Sequence, residues 1–505
     1  MRPICPKLSA GWARGTELLF SAVDVGSARA RAAIFGSEGR LLARASHGFS
    51  TRADPDGRAG YEFAEIWQAV ADALREAQGM AGVPAKDISA LAFDATCSLY
   101  VDAPGFAPDV IAWHDHRATA EAEELSATGH PLAARAGGQV SPEMQTPKLM
   151  WLARHRPEAW AGLTAVRDLG DQLAFAATGQ DHRSLCAMVA KWPYIAEAGG
   201  WQQGLMAGLG LVDLPRGGAV LAPGAPIGAL QAEAADRLGL TTGCRVAAGL
   251  IDAFAGALGA ASDMPVLIAG TSNCVMAADV PQKPAIWGPY PDAILPGEAV
   301  SEGGQSATGA LLDRIRQCYP EPQSHGQILA RLHPERQEPG AGLHVLPDIK
   351  GSRTPFADPL VRGVIHGATL DRSEAALDAL YWRAAVGIAL GTRQVIEHMG
   401  LGQPSRLAMA GGQARSSLMR QLYADVTGAE IHWQPEDAVL RGAAIAAAAP
   451  FLGGIRAARE VFALPAQITR PDPAAQARRK RDWQIFQRLQ QHRAEIDALE
   501  GGSPQ

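Results

Sequence analysis

Apolar and polar residues change rhythm several times along this chain, and each change marks an element. Residues 17–48 (ELLFSAVDVGSARARAAIFGSEGRLLARASHG) run apolar, turn at Gly26-Ser27, run apolar again, turn at GSEG and then alternate. That pattern predicts a three-stranded antiparallel meander. Apolar positions at helical spacing follow over 62–80, and DISALAFD (87–94) returns to a strand ending at Asp94. Residues 141–192 read as helices with loop punctuation, an insertion covering a cleft, and 199–243 as a Gly/Pro-rich loop region.

An apolar segment then leads through Gly249 into Asp252 and the alanine- and glycine-spaced run DAFAGALGA, which reads as a closely packed helix. After Ala261 the opening pattern starts over: VLIAGTSNCVMAADV (266–280) is again strand, turn and strand, which suggests that the two halves are structurally related. Loops are expected at 301–313 and 344–363, a long helix near 372–400, a strand over 405–412, a helix over 416–427 and a buried alanine-rich helix over 436–450. A charged helix over 473–499 ends the pattern, its basic cluster expected on a solvated face.

At 505 residues the chain exceeds one compact core and implies two large domains or three. With 47% hydrophobic and 19% charged residues it has the composition of a soluble globular protein. A formal charge of −6 gives no basic face, so neither nucleic acid nor a membrane is expected as partner, and a small-molecule task fits better. Six cysteines (Cys5, Cys97, Cys186, Cys244, Cys274, Cys318) without a CxxC pair read as reduced thiols. With no leader-like N-terminus and no long apolar run, a cytoplasmic, unprocessed protein is expected.

Four features carry chemistry. Asp24 ends the first strand before Gly26-Ser27, a turn that suits a phosphate with its magnesium or is an ordinary hairpin, and Gly270-Thr271-Ser272 is a second candidate phosphate cradle. Gly411-Gly412-Gln413, between a strand and a helix, lets a flat ring or phosphate approach the backbone. Asp252, in the first turn of its helix, fits either a cap or a general base kept ionised by the helix N-terminus. Asp94, Ser98, Trp113, Asp115 and Arg117 suit a polyhydroxylated ligand, or are ordinary polar loop residues. No GxxxxGK[ST], GxGxxG, HExxH or GxSxG motif competes, and the set suits phosphoryl transfer.

In order and spacing these stretches resemble the FGGY carbohydrate kinases, and most of all their D-ribulokinase-like group. DVGSARARA at 24–32, GTSNC at 270–274, AMAGGQARSSLMRQLYADVTG at 408–428 and AGLIDAFAGALG at 248–259 are similar to that family's two phosphate motifs, adenosine motif and catalytic-aspartate segment. FDATCSLY, DHRA, GGQVSPEMQTPKLMWL, RSLCAMVAKW, SEGGQSATG and HVLPDIKGSRTPFADP look like the D-ribulokinase-like group's own stretches. The resemblance implies an α/β fold of two ribonuclease-H-like lobes, as in actin and the sugar kinases, around an interdomain cleft. Residues 1–16 would be an extension, 17–260 the sugar-binding lobe, 261–460 the nucleotide-binding lobe and 461–505 a helical extension.

It further implies ATP and Mg²⁺ as cofactors, with Asp252 as base and Asp24 on the metal. Asp24, Gly26, Ser27, Arg31, Gly270, Thr271 and Ser272 would bind phosphates, Gly411, Gly412 and Gln413 the adenine side, and Asp94, Ser98, Trp113, Asp115, Arg117 and Gln305 the sugar. The implied reaction phosphorylates the terminal hydroxyl of D-ribulose. A pentitol such as ribitol, L-ribulose, xylulose, glycerol, or a non-catalytic sugar sensor are the alternatives, and a homodimer is common among such enzymes. Ser27 stands where the family usually has threonine, Arg29 where a small hydroxyl is usual, and DLGD at 168–171 replaces a more usual DLPD.

Overall fold

The computed structural model describes residues 18–54, 58–260 and 263–500. Cys5 and the expected extension 1–16 lie outside the described residues.

The meander forms as the pattern requires. Leu19–Val25, buried throughout, pairs antiparallel with Arg29–Gly36, and that strand pairs antiparallel with Leu41–Gly48. Because Leu19–Val25 is covered on both faces it reads as a continuous apolar run rather than an alternation. Its other edge takes Ile88–Ala95 in parallel, with Asp24 opposite Asp94, and Arg245–Ala247 adds to that strand in parallel. Pro226–Ala229 completes six strands. The helix Phe63–Ala81 packs its apolar side (Ile66, Val70, Leu74) on this sheet.

The second sheet repeats the plan. Val266–Ala269 and Asn273–Ala278 are antiparallel, Ala299–Gln305 adds antiparallel to the latter, and Arg406–Ala410 and Glu430–Trp433 follow in parallel on the other side. Trp287–Pro291 and Gln467–Thr469 close the two edges. The shared order, an antiparallel meander continued by two parallel strands, bears out the relation between the halves.

Three regions depart from the sequence reading. Residues 301–313 are a buried strand ending at Gln305 and a helix, Gly309–Arg316, rather than a loop. Their Gly/Ser content reflects close packing: a Cβ at Gly304 would meet the Asn273 carbonyl at 2.4 Å. Residues 199–243 hold the helices Gln203–Gly208 and Ala232–Leu238 as well as the short strands Gly200–Trp201, Val220–Leu221 and Pro226–Ala229. On the terminal helix Pro473–Leu499 the basic cluster is solvated at Arg478, Lys480 and Arg481 as expected, and the departure is Arg479, which is buried and bridges Asp482 and Glu338; farther along, Arg493 reaches Asp348.

The helices at the end of each half cross between the sheets. Asp252–Gly259 runs toward the second sheet, where Gly256 faces Ile268. Ala438–Ala448, buried as expected, returns to the first, and beyond it Phe462 packs against Phe20 and Phe35 with ring centroids 6.1 Å apart in both pairs. The two helices touch backbone to backbone at glycines. A Cβ at Gly259 would lie 2.0 Å from the Ala438 carbonyl, and one at Gly442 2.0 Å from that of Ala255.

Candidate active site

Both strand-to-turn devices open on one cavity of about 240 Å³ between the sheets. Ser27 of the first turn and Gly270, Thr271 and Ser272 of the second all line it, and so does Asp252. The second turn is tied down by the segment after Ala299–Gln305: the Thr308 hydroxyl donates to the Gly270 carbonyl (3.2 Å) and to Asn273 Oδ1 (2.8 Å). Gln413 Nε2 also donates to the Gly270 carbonyl at 3.2 Å, and Tyr423 links Asn273 to Gln413. The diglycine turn and the second phosphate turn are therefore one assembly. Gly411, at φ 94°, has no room for a side chain because a Cβ would sit 2.5 Å from the Ala269 carbonyl; at Gly412 nothing lies within 4 Å.

Asp252 is the first residue of its helix, with Ile251 in the capping position, and its Oδ1 accepts from the Ala253 amide at 2.7 Å. The helix N-terminus does not keep it in the ordinary carboxylate range. Burial, with the nearby Asp24 charge, pushes Asp252 up to about 6. Two hydrogen bonds hold the turn before this acid in place: the Leu250 amide donates to Asp94 Oδ1 at 2.8 Å, and Ser184 Oγ donates to the Gly249 carbonyl at 2.7 Å. Gly249 must be glycine, since a Cβ there would be 1.9 Å from the Phe93 carbonyl.

Asp24 is fully buried, and Arg31 Nε donates to its Oδ2 at 2.7 Å. Burial raises its pKa, partly offset by Arg31. Arg31 also pairs with Asp437, which caps the returning helix Ala438–Ala448. The first hairpin is thus bound to the second half of the chain by one arginine between two carboxylates. Asp24 Oδ1 is buried without a hydrogen-bond partner. Asp24 itself does not line the cavity; magnesium keeps several waters and phosphate oxygens and takes one or two carboxylates, so one unpartnered carboxylate oxygen on the strand that leads into the Gly26-Ser27 turn fits a magnesium carried in by a nucleotide. Among the described residues no group of three or more His, Cys, Asp or Glu could hold a metal by itself. Gly26 shapes the turn, its amide donating to the Arg29 carbonyl at 3.0 Å. Arg29 itself is exposed.

Of the six residues assigned to the sugar, only Trp113 lines the cavity, its indole N–H donating to Ser27 Oγ at 2.9 Å. Ser98 lies behind it and accepts from the Trp113 amide at 3.1 Å. Asp94 is fully buried beneath the Asp252 turn, and burial holds its carboxyl well above the usual range. Asp115 accepts from the Ala59 amide (2.6 Å) and from both ends of the Arg117 guanidinium (2.8 Å each), and Arg117 lies over the Trp151 ring; both are scaffold. Gln305 packs against the long helix, its Nε2 donating to the Ile388 carbonyl at 3.0 Å.

The cavity has other charged walls that spacing did not single out. Glu143 and Lys191 come from the insertion, Glu302 and Arg353 from the second half, with Thr96, Cys97 and Trp287 beside them. Arg353 donates to Glu302 and, against the opposing effect of burial, holds that carboxyl below its usual range. Burial is likewise outweighed at Glu143, which His116 and Arg353 bring down to about 2. Lys191, Glu143, Glu302 and Arg353 all sit inside stretches quoted for the family resemblance, so that resemblance, read residue by residue, was the available signal.

Two meander-plus-parallel lobes thus enclose a cavity lined by both turns, by Asp252 and by the further acids Glu143 and Glu302. The chain matches the N-terminal domain of the FGGY family of carbohydrate kinases over residues 19–259 and its C-terminal domain over residues 266–450. It belongs to that family and is a carbohydrate kinase. It is 34% identical to an FGGY carbohydrate kinase domain-containing protein of Danio rerio, covering 94% of this chain and 98% of the relative. It is 32% identical to a D-ribulokinase of Saccharomyces cerevisiae over 81% of this chain and 68% of the relative. The crystal structure of a gluconate kinase from Lactobacillus acidophilus superposes with a TM-score of 0.80 at 18% identity, over 97% of this chain and 99% of that one. None of the described helices is long and apolar enough to cross a membrane.

Proposed function

We propose that this kinase transfers the γ-phosphoryl group of ATP to the terminal hydroxyl of a pentulose, with D-ribulose giving D-ribulose 5-phosphate. The observation that carries this reading is the meeting of Asp252, both phosphate-type turns and the charged side chains Lys191 and Glu302 on one cavity. The identity to a D-ribulokinase favours the ketopentose.

In this reading Asp252 accepts the proton of the attacking hydroxyl. A pKa near 6 leaves it mostly ionised at neutral pH yet more basic than a surface carboxylate, which suits a general base. Glu302 and Glu143, both held ionised, accept from sugar hydroxyls, and Lys191 donates to sugar oxygens. Trp113 covers an apolar face of the sugar. The amides and hydroxyls of Ser27 and Gly270–Ser272 receive the phosphates, while Gly411, Gly412 and Gln413 form the floor for the adenosine. Asp24 would hold magnesium, which supplies charge neutralisation on the phosphates. Closing the cleft around both substrates excludes water that would otherwise take the phosphoryl group.

A coupled ADP-release assay over D-ribulose, L-ribulose, xylulose, ribitol and glycerol tests the assignment. D-ribulose is expected to give the highest kcat/KM. Pocket contacts separating such polyols are worth only ~1–3 kcal/mol each, so relatives should react more weakly rather than not at all. A different sugar leading the panel replaces the substrate but leaves the chemistry; ATP binding without sugar-dependent turnover refutes the kinase mechanism drawn here.

A further inference from the structure

Lys191 ends the helix Leu185–Lys191 of the first half and is 8% exposed, with its side chain on the cavity wall. Its ammonium makes no hydrogen bond and no ion pair with any other described side chain. The charges of Glu302, Glu143 and Asp252 act on it through space, and the group against which the ammonium is seated is aromatic. Lys191 Nζ lies 4.4 Å from the centroid of the Trp287 ring, which belongs to the edge strand Trp287–Pro291 of the opposite half. Trp287 stands directly across from Glu302 in the antiparallel register, so both point from the same face of the sheet toward the cavity. The Arg353 guanidinium, paired with Glu302, lies 4.2 Å from the same ring.

We propose that Trp287 is a positioning residue for Lys191: its indole face holds the ammonium in the cleft across the two lobes while leaving all three N–H donors free for sugar oxygens. A carboxylate in that place would fix the ammonium as well, but it would occupy at least one donor and would have to be displaced on binding. A π-face attracts the charge without accepting a directed hydrogen bond, so the donors stay available. The partner of the cation is then kept when substrate arrives, and ordering of a long flexible side chain is completed before binding rather than during it. Because Lys191 and Trp287 belong to different lobes, the same contact favours the closed cleft. Arg353 lies over the same ring but is paired with Glu302, and that pairing limits competition between the two cations for the ring.

This inference rests on the reading of the cavity as the sugar site, and the test separates the two. Sugar and ATP kinetics are measured for Trp287→Phe, Trp287→Leu, Lys191→Met and the double variant Trp287→Leu/Lys191→Met. Loss of the π-face in Trp287→Leu should raise the sugar KM about tenfold while the ATP KM stays within about twofold, and Trp287→Phe should stay within about threefold of the natural protein. On the Lys191→Met background Trp287→Leu should add nothing. Equal losses in the Phe and Leu variants, or additive losses in the double variant, overturn the role of Trp287 while the sugar-site reading stands. An unchanged sugar KM in Lys191→Met overturns that reading and the proposal with it. Should Trp287→Leu fail to fold, Trp287→Met, which has similar reach and no π-face, replaces it in the same comparison.

Discussion

Asp252 shows how a single side chain can meet two requirements that pull apart. A helix N-terminus favours its ionised form, while burial and Asp24 favour the neutral one, and the second pair prevails to place it at about 6. A base acts when ionised, so kcat/KM of the free enzyme should fall as pH drops through about 6 and level off above it. Asp252→Asn should lose that acidic limb together with ~10²–10⁴ of the rate, with ATP affinity little changed. A pH profile flat across 6, or near-normal turnover in Asp252→Asn, would be incompatible with its role as the base. Asp94 shows the converse. A strand-end carboxylate looks the same in sequence whether it faces a ligand or a backbone amide, and only the hydrogen bond from the Leu250 amide reveals that Asp94 secures that turn.

At the scale of elements, what was legible depended on whether one local pattern sufficed. The meander at 17–48, the repeat at 266–280 and the helix at 438–448 were legible because each is built from its own apolar spacing and turn residues. The strand Ala299–Gln305 was not, because its glycines answer to neighbours distant in sequence, Asn273 and the helix Glu374–Met399. The same reason hid Glu302 and Arg353, whose pairing depends on two segments meeting in space. Glycines at the helix crossing give a sharper consequence. A Cβ at Gly442 would press on the Ala255 carbonyl from 2.0 Å, and neither partner is a flexible side chain that can yield. Gly442→Ala should therefore separate the Asp252–Gly259 and Ala438–Ala448 helices, lowering stability by ~1–3 kcal/mol in chemical denaturation and shifting the Asp252 carboxylate enough to reduce kcat. An alanine variant with unaltered denaturation midpoint and kcat would show that the crossing tolerates expansion.

For the molecule as a whole, the crossing makes each lobe depend on the other. The first sheet is completed by residues more than four hundred positions from its first strand: Ala443, Ala444 and Ile445 of the returning helix and then Phe462 share one buried core with Phe20, Phe35 and Ala92. Arg31 adds an ionic tie between the first hairpin and Asp437, and Arg441 donates to the Gly39 carbonyl. A fragment ending at the close of the Asp252–Gly259 helix would leave that apolar face uncovered and Arg31 with Asp24 alone. The expected outcome is that residues 18–260 expressed alone do not give a cooperative melt, and that the full chain unfolds in a single calorimetric transition with van't Hoff and calorimetric enthalpies in agreement. Sugar and nucleotide together should move that one transition upward, because any ligand bound only by the native state stabilises everything coupled to it, by ~2.7 kcal/mol at a hundredfold excess over Kd. Two resolved transitions, with only one of them shifted by ligand, would mean that the lobes fold independently and that the shared core is a contact rather than a common foundation.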